Sequence, residues 1–72
     1  MTEAELEKYY DELLDLARRV FGADKIAAED VVSDTILSAL SDIRAGKSIE
    51  NPSGYLKTLF YRRKSDFLRR KY

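Results

Sequence analysis

The chain's 72 residues suffice for one small domain and for little else. With no cysteine and no histidine, thiol nucleophiles, imidazole bases and zinc sites of the Cys/His type are excluded. Thirteen basic and thirteen acidic residues cancel to a formal net charge of zero, yet residues 1–43 carry eleven acids against four bases, and residues 44–72 nine bases against two acids. A half at −7 followed by a half at +7 suits two different partners, or one domain with an acidic and a basic face. No apolar run approaches the roughly 18 residues of a membrane span. Met1-Thr2-Glu3 lacks the basic start and apolar stretch of a signal peptide, so a cytoplasmic protein without membrane insertion is expected.

The first helix is expected over about 3–21. Thr2 and Glu5 have the spacing of a capping box, and Leu6, Tyr9, Leu13, Leu16, Ala17, Val20 and Phe21 recur along one helical face. Gly22 ends the helix as a C-cap residue. The second is expected over about 25–44, opened by Asp24 as N-cap, with Ala28, Val32, Ile36, Ala39, Leu40 and Ile43 as its apolar stripe. Gly46 is the expected stop, and a polar loop covers about 45–51.

Asn51-Pro52 gives the clearest start signal in the chain, an N-cap side chain directly before a proline at the first helical position. A third helix is expected from there to about residue 70, with Leu56, Leu59, Phe60 and Phe67 toward the core. The expected fold class is all-α, a compact three-helix bundle with short connections forming a single domain over 1–72.

The carboxylates show no catalytic constellation. Glu29, Asp30 and Asp34 could meet a cation, but no loop of metal-ligand spacing surrounds them, so neither enzymatic activity nor a metal or other cofactor is expected. The third helix is richer. Lys57, Lys64 and Lys71 line one flank at seven-residue intervals, and Arg62 and Arg69 line another. Arg63 and Arg70 project near the apolar stripe, where their stems can lie over the edge of the core. Tyr55, Phe60, Tyr61, Phe67 and Tyr72 are interleaved with these bases. Cations that neutralise phosphate beside rings that stack on unpaired bases suit single-stranded or melted nucleic acid. Phe60 and Phe67 are expected in the core, which leaves Tyr55 and Tyr61 for stacking. A solvated cationic face accounts for the same bases, and so does a helix lying on an anionic membrane. The acidic first helix and the absence of tryptophan count against the membrane.

These residues resemble a known family. Ala28-Glu29-Asp30-Val31-Val32, followed by Ile36-Leu37 and Ala39-Leu40, looks like the "AEDLVQE.FL.AW" helix of bacterial extracytoplasmic-function sigma factors. Leu14 to Phe21 resembles the "L..LARR.." segment before it, and Asn51-Pro52-Ser53-Gly54-Tyr55-Leu56 resembles "NPRAWL". Leu59, Asp66, Leu68, Arg69 and Arg70 continue the pattern "I.RN...D.LRR". The resemblance runs in order over nearly the whole chain and implies region 2 of a sigma-70 family factor, a transcription initiation module. It implies that Asp30, Ser33, Asp34 and Leu37 face the clamp of the RNA polymerase β′ subunit. Arg44, Lys47, Ser48 and Asn51 would belong to the loop that captures an extruded base of the −10 promoter element. Tyr55, Lys57, Tyr61, Arg62, Lys64 and Arg69 would follow the displaced non-template strand. An anti-sigma factor is a further implied partner.

The chain departs from the pattern at Ser33 (usually Gln), Leu40 (usually Trp) and Arg62 (usually Asn). The family's usual C-terminal helix-turn-helix domain has no counterpart here, which suggests an excised domain or a stand-alone region 2 protein. A helical protein-interaction module that mimics a sigma domain without binding DNA is the alternative.

Overall fold

Each helix starts where a local backbone problem is solved, and α1 and α2 stop in the same way. In the computed structural model, which describes residues 1–71 and the side chains through Arg70, the Thr2 hydroxyl accepts the Glu5 N–H at 3.2 Å and opens α1, Glu3–Phe21. Lys71 in the basic row and the ring of Tyr72 lie outside the described side chains. Gly22 closes α1 at φ +61°, a conformation costly for any residue with a Cβ, and its N–H reaches the Arg18 carbonyl at 2.9 Å. The Asp24 carboxylate then accepts the Ala27 N–H at 3.1 Å and caps α2, Lys25–Arg44.

The end of α2 is a Schellman turn. Gly46, at φ +82°, donates to the Ile43 carbonyl at 3.0 Å, and Lys47 donates to the Asp42 carbonyl at 3.1 Å. After the loop, Asn51 caps α3, Pro52–Lys71: its side-chain oxygen accepts the Gly54 N–H at 3.2 Å and its carbonyl accepts the Tyr55 N–H at 2.9 Å.

The three helices form an all-α bundle in which α2 packs against both of the others, while α1 and α3 meet only slightly. Leu6, Leu13 and Ala17 of α1, Ala28, Val31, Val32 and Ala39 of α2, and Leu56, Leu59 and Phe60 of α3 make one buried core. Phe21 and Phe67 close one end edge to face, with ring centroids 5.9 Å apart.

The burial on α2 is wider than its expected stripe. Ala27, Val31 and Thr35 are buried too, whereas Ile36, Leu40 and Ile43 are only half-buried. A helix held between two neighbours must be inward-facing on two sides, and a one-stripe template covers only one. Thr35 belongs to that second side because its hydroxyl donates to the Val31 carbonyl at 2.8 Å, leaving no unpaired polar atom. Among the described residues no helix is long and apolar enough to cross a membrane, and no group of three acidic, His or Cys side chains could hold a metal ion.

Candidate nucleic-acid interface

Burying Leu56, Leu59 and Phe60 turns the opposite side of α3 to solvent. Lys57, Thr58, Tyr61, Arg62, Ser65 and Arg69 are exposed there, and Lys64 partly so. At about 100° per residue, Lys57, Tyr61 and Lys64 share one strip, with Arg62 and Arg69 alongside in a second. Tyr61 is 46% exposed, yet its ring is held in place. The buried Phe60 ring meets it edge to face at 5.4 Å, and the Lys64 ammonium stands 5.6 Å from its centroid.

The cations of α3 are not equally available. Lys57 and Arg62 make no ion pair among the described residues. Asp66 pairs with Arg69 at 2.9 Å and with Arg63 at 3.5 Å, and Arg70 crosses to Asp34 of α2 at 3.5 Å. Asp34 is therefore half-buried against α3, whereas Asp30, Ser33 and Leu37 lie on the outer face of α2. Ile26, 83% exposed, falls on the same strip as Leu37, 63% exposed. Four side chains thus make an open face bounded by two uncovered aliphatic groups.

The loop residues diverge. Arg44 turns to α1, where its guanidinium pairs with Glu3 at 3.1 Å. Lys47, itself exposed, pairs with Asp42 at 3.2 Å, Ser48 is exposed, and the Asn51 side chain is occupied as the α3 cap. Tyr55 is half-buried against the core, and its hydroxyl donates to the Asp42 carboxylate. That bond, with the Lys47 ammonium beside it, holds Asp42 below its usual 3.8. Burial, then the same bond, pushes the Tyr55 hydroxyl up to about 12. The expected stacking pair thus separates: Tyr61 is exposed on α3, and Tyr55 is committed to the packing of the loop.

Sequence reasoning passed over Ile26 and Asp42. Ile26 lies off the apolar stripe at the second position of its helix, so an exposed aliphatic side chain there was the available signal. Asp42 gains its partners only when the turn at Gly46 folds Lys47 back and α3 brings Tyr55 alongside. No spacing rule covers that closure.

A family model described as Sigma-70 region 2 matches residues 6–72. No curated protein and no solved structure matches this chain.

Proposed function

The chain belongs to the sigma-70 region 2 family, whose members are non-enzymatic domains of transcription initiation factors, and from that premise we propose that it joins RNA polymerase to the −10 promoter element. In this reading residues 1–72 act as one domain, of the extracytoplasmic-function type, working in the cytoplasm. Asp30, Ser33 and Leu37, extended by Ile26, form the contact with the β′ clamp, and Asp34 marks its edge against α3. Lys57, Tyr61, Arg62 and Lys64 take the displaced non-template strand, with Arg69 beside them. The 45–51 loop meets an extruded base through Ser48.

The observation that carries the DNA assignment is Tyr61: an exposed residue whose ring is braced by Phe60 and Lys64, flanked by Lys57 and Arg62, which make no ion pair among the described residues. Stacking one base on an aromatic ring contributes about 1–3 kcal/mol, while extruding a base from a duplex costs a few. One ring therefore offsets only part of that cost, and phosphate contacts must supply the rest, for which the solvent side of α3 offers three cations. The acidic half repels DNA and leaves α2 for protein.

Two titrations run side by side test the reading, one with single-stranded −10 DNA and one with a β′ clamp fragment. Binding to both is expected. The exposed Ile26 and Leu37 also favour the alternative of a pure protein-interaction module, which would bind the clamp and show no DNA affinity at any salt concentration.

A further inference from the structure

Three elements meet at one carboxylate. Asp42 stands in the last turn of α2, and its two oxygens are divided between the neighbouring elements. One lies 3.2 Å from the Lys47 ammonium, and the other accepts the hydroxyl of Tyr55 from the first turn of α3. The Asp42 backbone carbonyl also accepts the Lys47 N–H at 3.1 Å, so Lys47 is tied to a single residue through both its backbone and its side chain. At the far end of the loop, Asn51 is fixed to the N–H groups of Gly54 and Tyr55. The same Tyr55 therefore anchors both ends of the segment.

Between the anchors only Ser48, Ile49 and Glu50 remain, and Ile49 is half-buried. A span that short, tied at both ends, has few conformations to lose when it binds. From this geometry we infer that Asp42 is the positioning residue of the 45–51 loop, setting its shape before nucleic acid arrives without touching the nucleic acid itself. The inference rests on the promoter-binding reading above and adds to it a residue in the acidic half of the chain. It also changes the part played by Lys47, whose charge is spent on Asp42 and which serves as an anchor for the loop.

The charge environment agrees with the geometry. The groups facing the Asp42 carboxylate are the Tyr55 hydroxyl, the Lys47 ammonium and, at longer range, the Arg63 guanidinium of α3, and each favours the ionised form. Asp42→Asn keeps the size of the side chain and removes its charge. Tyr55→Phe keeps the ring in the core and removes only the hydroxyl. The two variants open the clasp from opposite sides with little disturbance of packing.

The test has two arms on the full chain. In the first, amide hydrogen exchange is compared at Gly46, Lys47 and Ser48, with Val31, Val32 and Phe60 as core controls. Both variants are expected to speed exchange at the loop amides by about tenfold or more and to leave the core amides unchanged. In the second, a pool of single-stranded oligodeoxynucleotides with a randomised centre is selected on each protein. The variants are expected to lose discrimination among sequences while keeping the wild-type salt dependence, because the phosphate contacts of α3 remain. Loop amides that exchange at the wild-type rate in both variants would overturn the inference. So would a loosened loop with undiminished sequence discrimination. If the wild-type chain bound no oligonucleotide, the promoter-binding reading would fail together with the role in recognition given to Asp42, and loop exchange would show whether the clasp exists apart from it.

Discussion

The hydroxyl of Tyr55 donates to the carboxylate of Asp42, joining the first turn of α3 to the last turn of α2 across the connecting loop. Each partner perturbs the other's ionisation in the direction that preserves the bond: Asp42 is held ionised and Tyr55 is held neutral. Two pH dependences of opposite sense follow from this one contact.

On the acid side, the folded state depresses the Asp42 pKa below 3.8, so its stabilising contribution is present above the unfolded value and is lost as pH falls through the folded one. Wild type is expected to melt higher than Asp42→Asn at about pH 6, and the gap is expected to close toward about pH 2. Thermal unfolding of the pair across that range, followed by circular dichroism, measures the difference directly. A constant gap would mean that the carboxylate's charge contributes nothing to the fold.

On the alkaline side the folded state raises the Tyr55 pKa to about 12, so the neutral hydroxyl stabilises the fold below the unfolded value of 10.0, and that contribution is lost as pH rises through 12. Tyrosinate absorbance should contain a component titrating near 12 that disappears in Tyr55→Phe. A Tyr55→Phe chain with an unchanged alkaline titration would contradict the assignment.

Phe60 is fully buried where α3 packs on the bundle. Phe60→Ala is expected to cost about 3–5 kcal/mol, a large share of the roughly 4–11 kcal/mol available to a domain of this size. Urea unfolding would show the loss as a much lower midpoint or an unfolded baseline. Thr35→Val, which removes one internally satisfied hydroxyl at nearly constant volume, is expected to change stability by about 1 kcal/mol or less.

What could be read from the sequence follows from which physical rules are local. Thr2, Gly22, Asp24 and Asn51-Pro52 act on backbone groups three or four residues away, and the helix ends stand beside them in the structure. The inward face of α1 was legible because that helix has one dominant neighbour, α2. Val31 and Thr35 escaped because α2 has two, and because Thr35 satisfies its hydroxyl within its own helix. Helical spacing alone puts Lys57 and Lys64 on one flank of α3 and Arg62 and Arg69 on another. Tyr55 could not be told from Tyr61 by composition, since its place depends on a carboxylate thirteen residues away that only the folded turn brings near.

Leu37 offers a separate handle on the face proposed to bind the clamp. The residue is 63% exposed and does not belong to the core, so Leu37→Glu is expected to leave the melting temperature nearly unchanged. The same substitution is expected to weaken binding to a β′ clamp fragment by about tenfold or more, since in the proposed interface it puts a charge where an exposed apolar group would be covered. Binding of single-stranded DNA should be unaffected. Calorimetry with each partner distinguishes loss of one surface from loss of the fold.

In the proposed function the solvent face of α3 holds single-stranded DNA through Lys57, Arg62 and Lys64 around Tyr61. The direct measurement is the affinity for single-stranded −10 DNA as a function of salt, for wild type and for Lys57→Ala/Arg62→Ala/Lys64→Ala. Each phosphate contact on a single strand contributes about 0.7 to the slope of log K against log salt, so the triple variant is expected to bind more weakly with a slope shallower by about 2. An affinity and a slope both equal to those of wild type would contradict the claim.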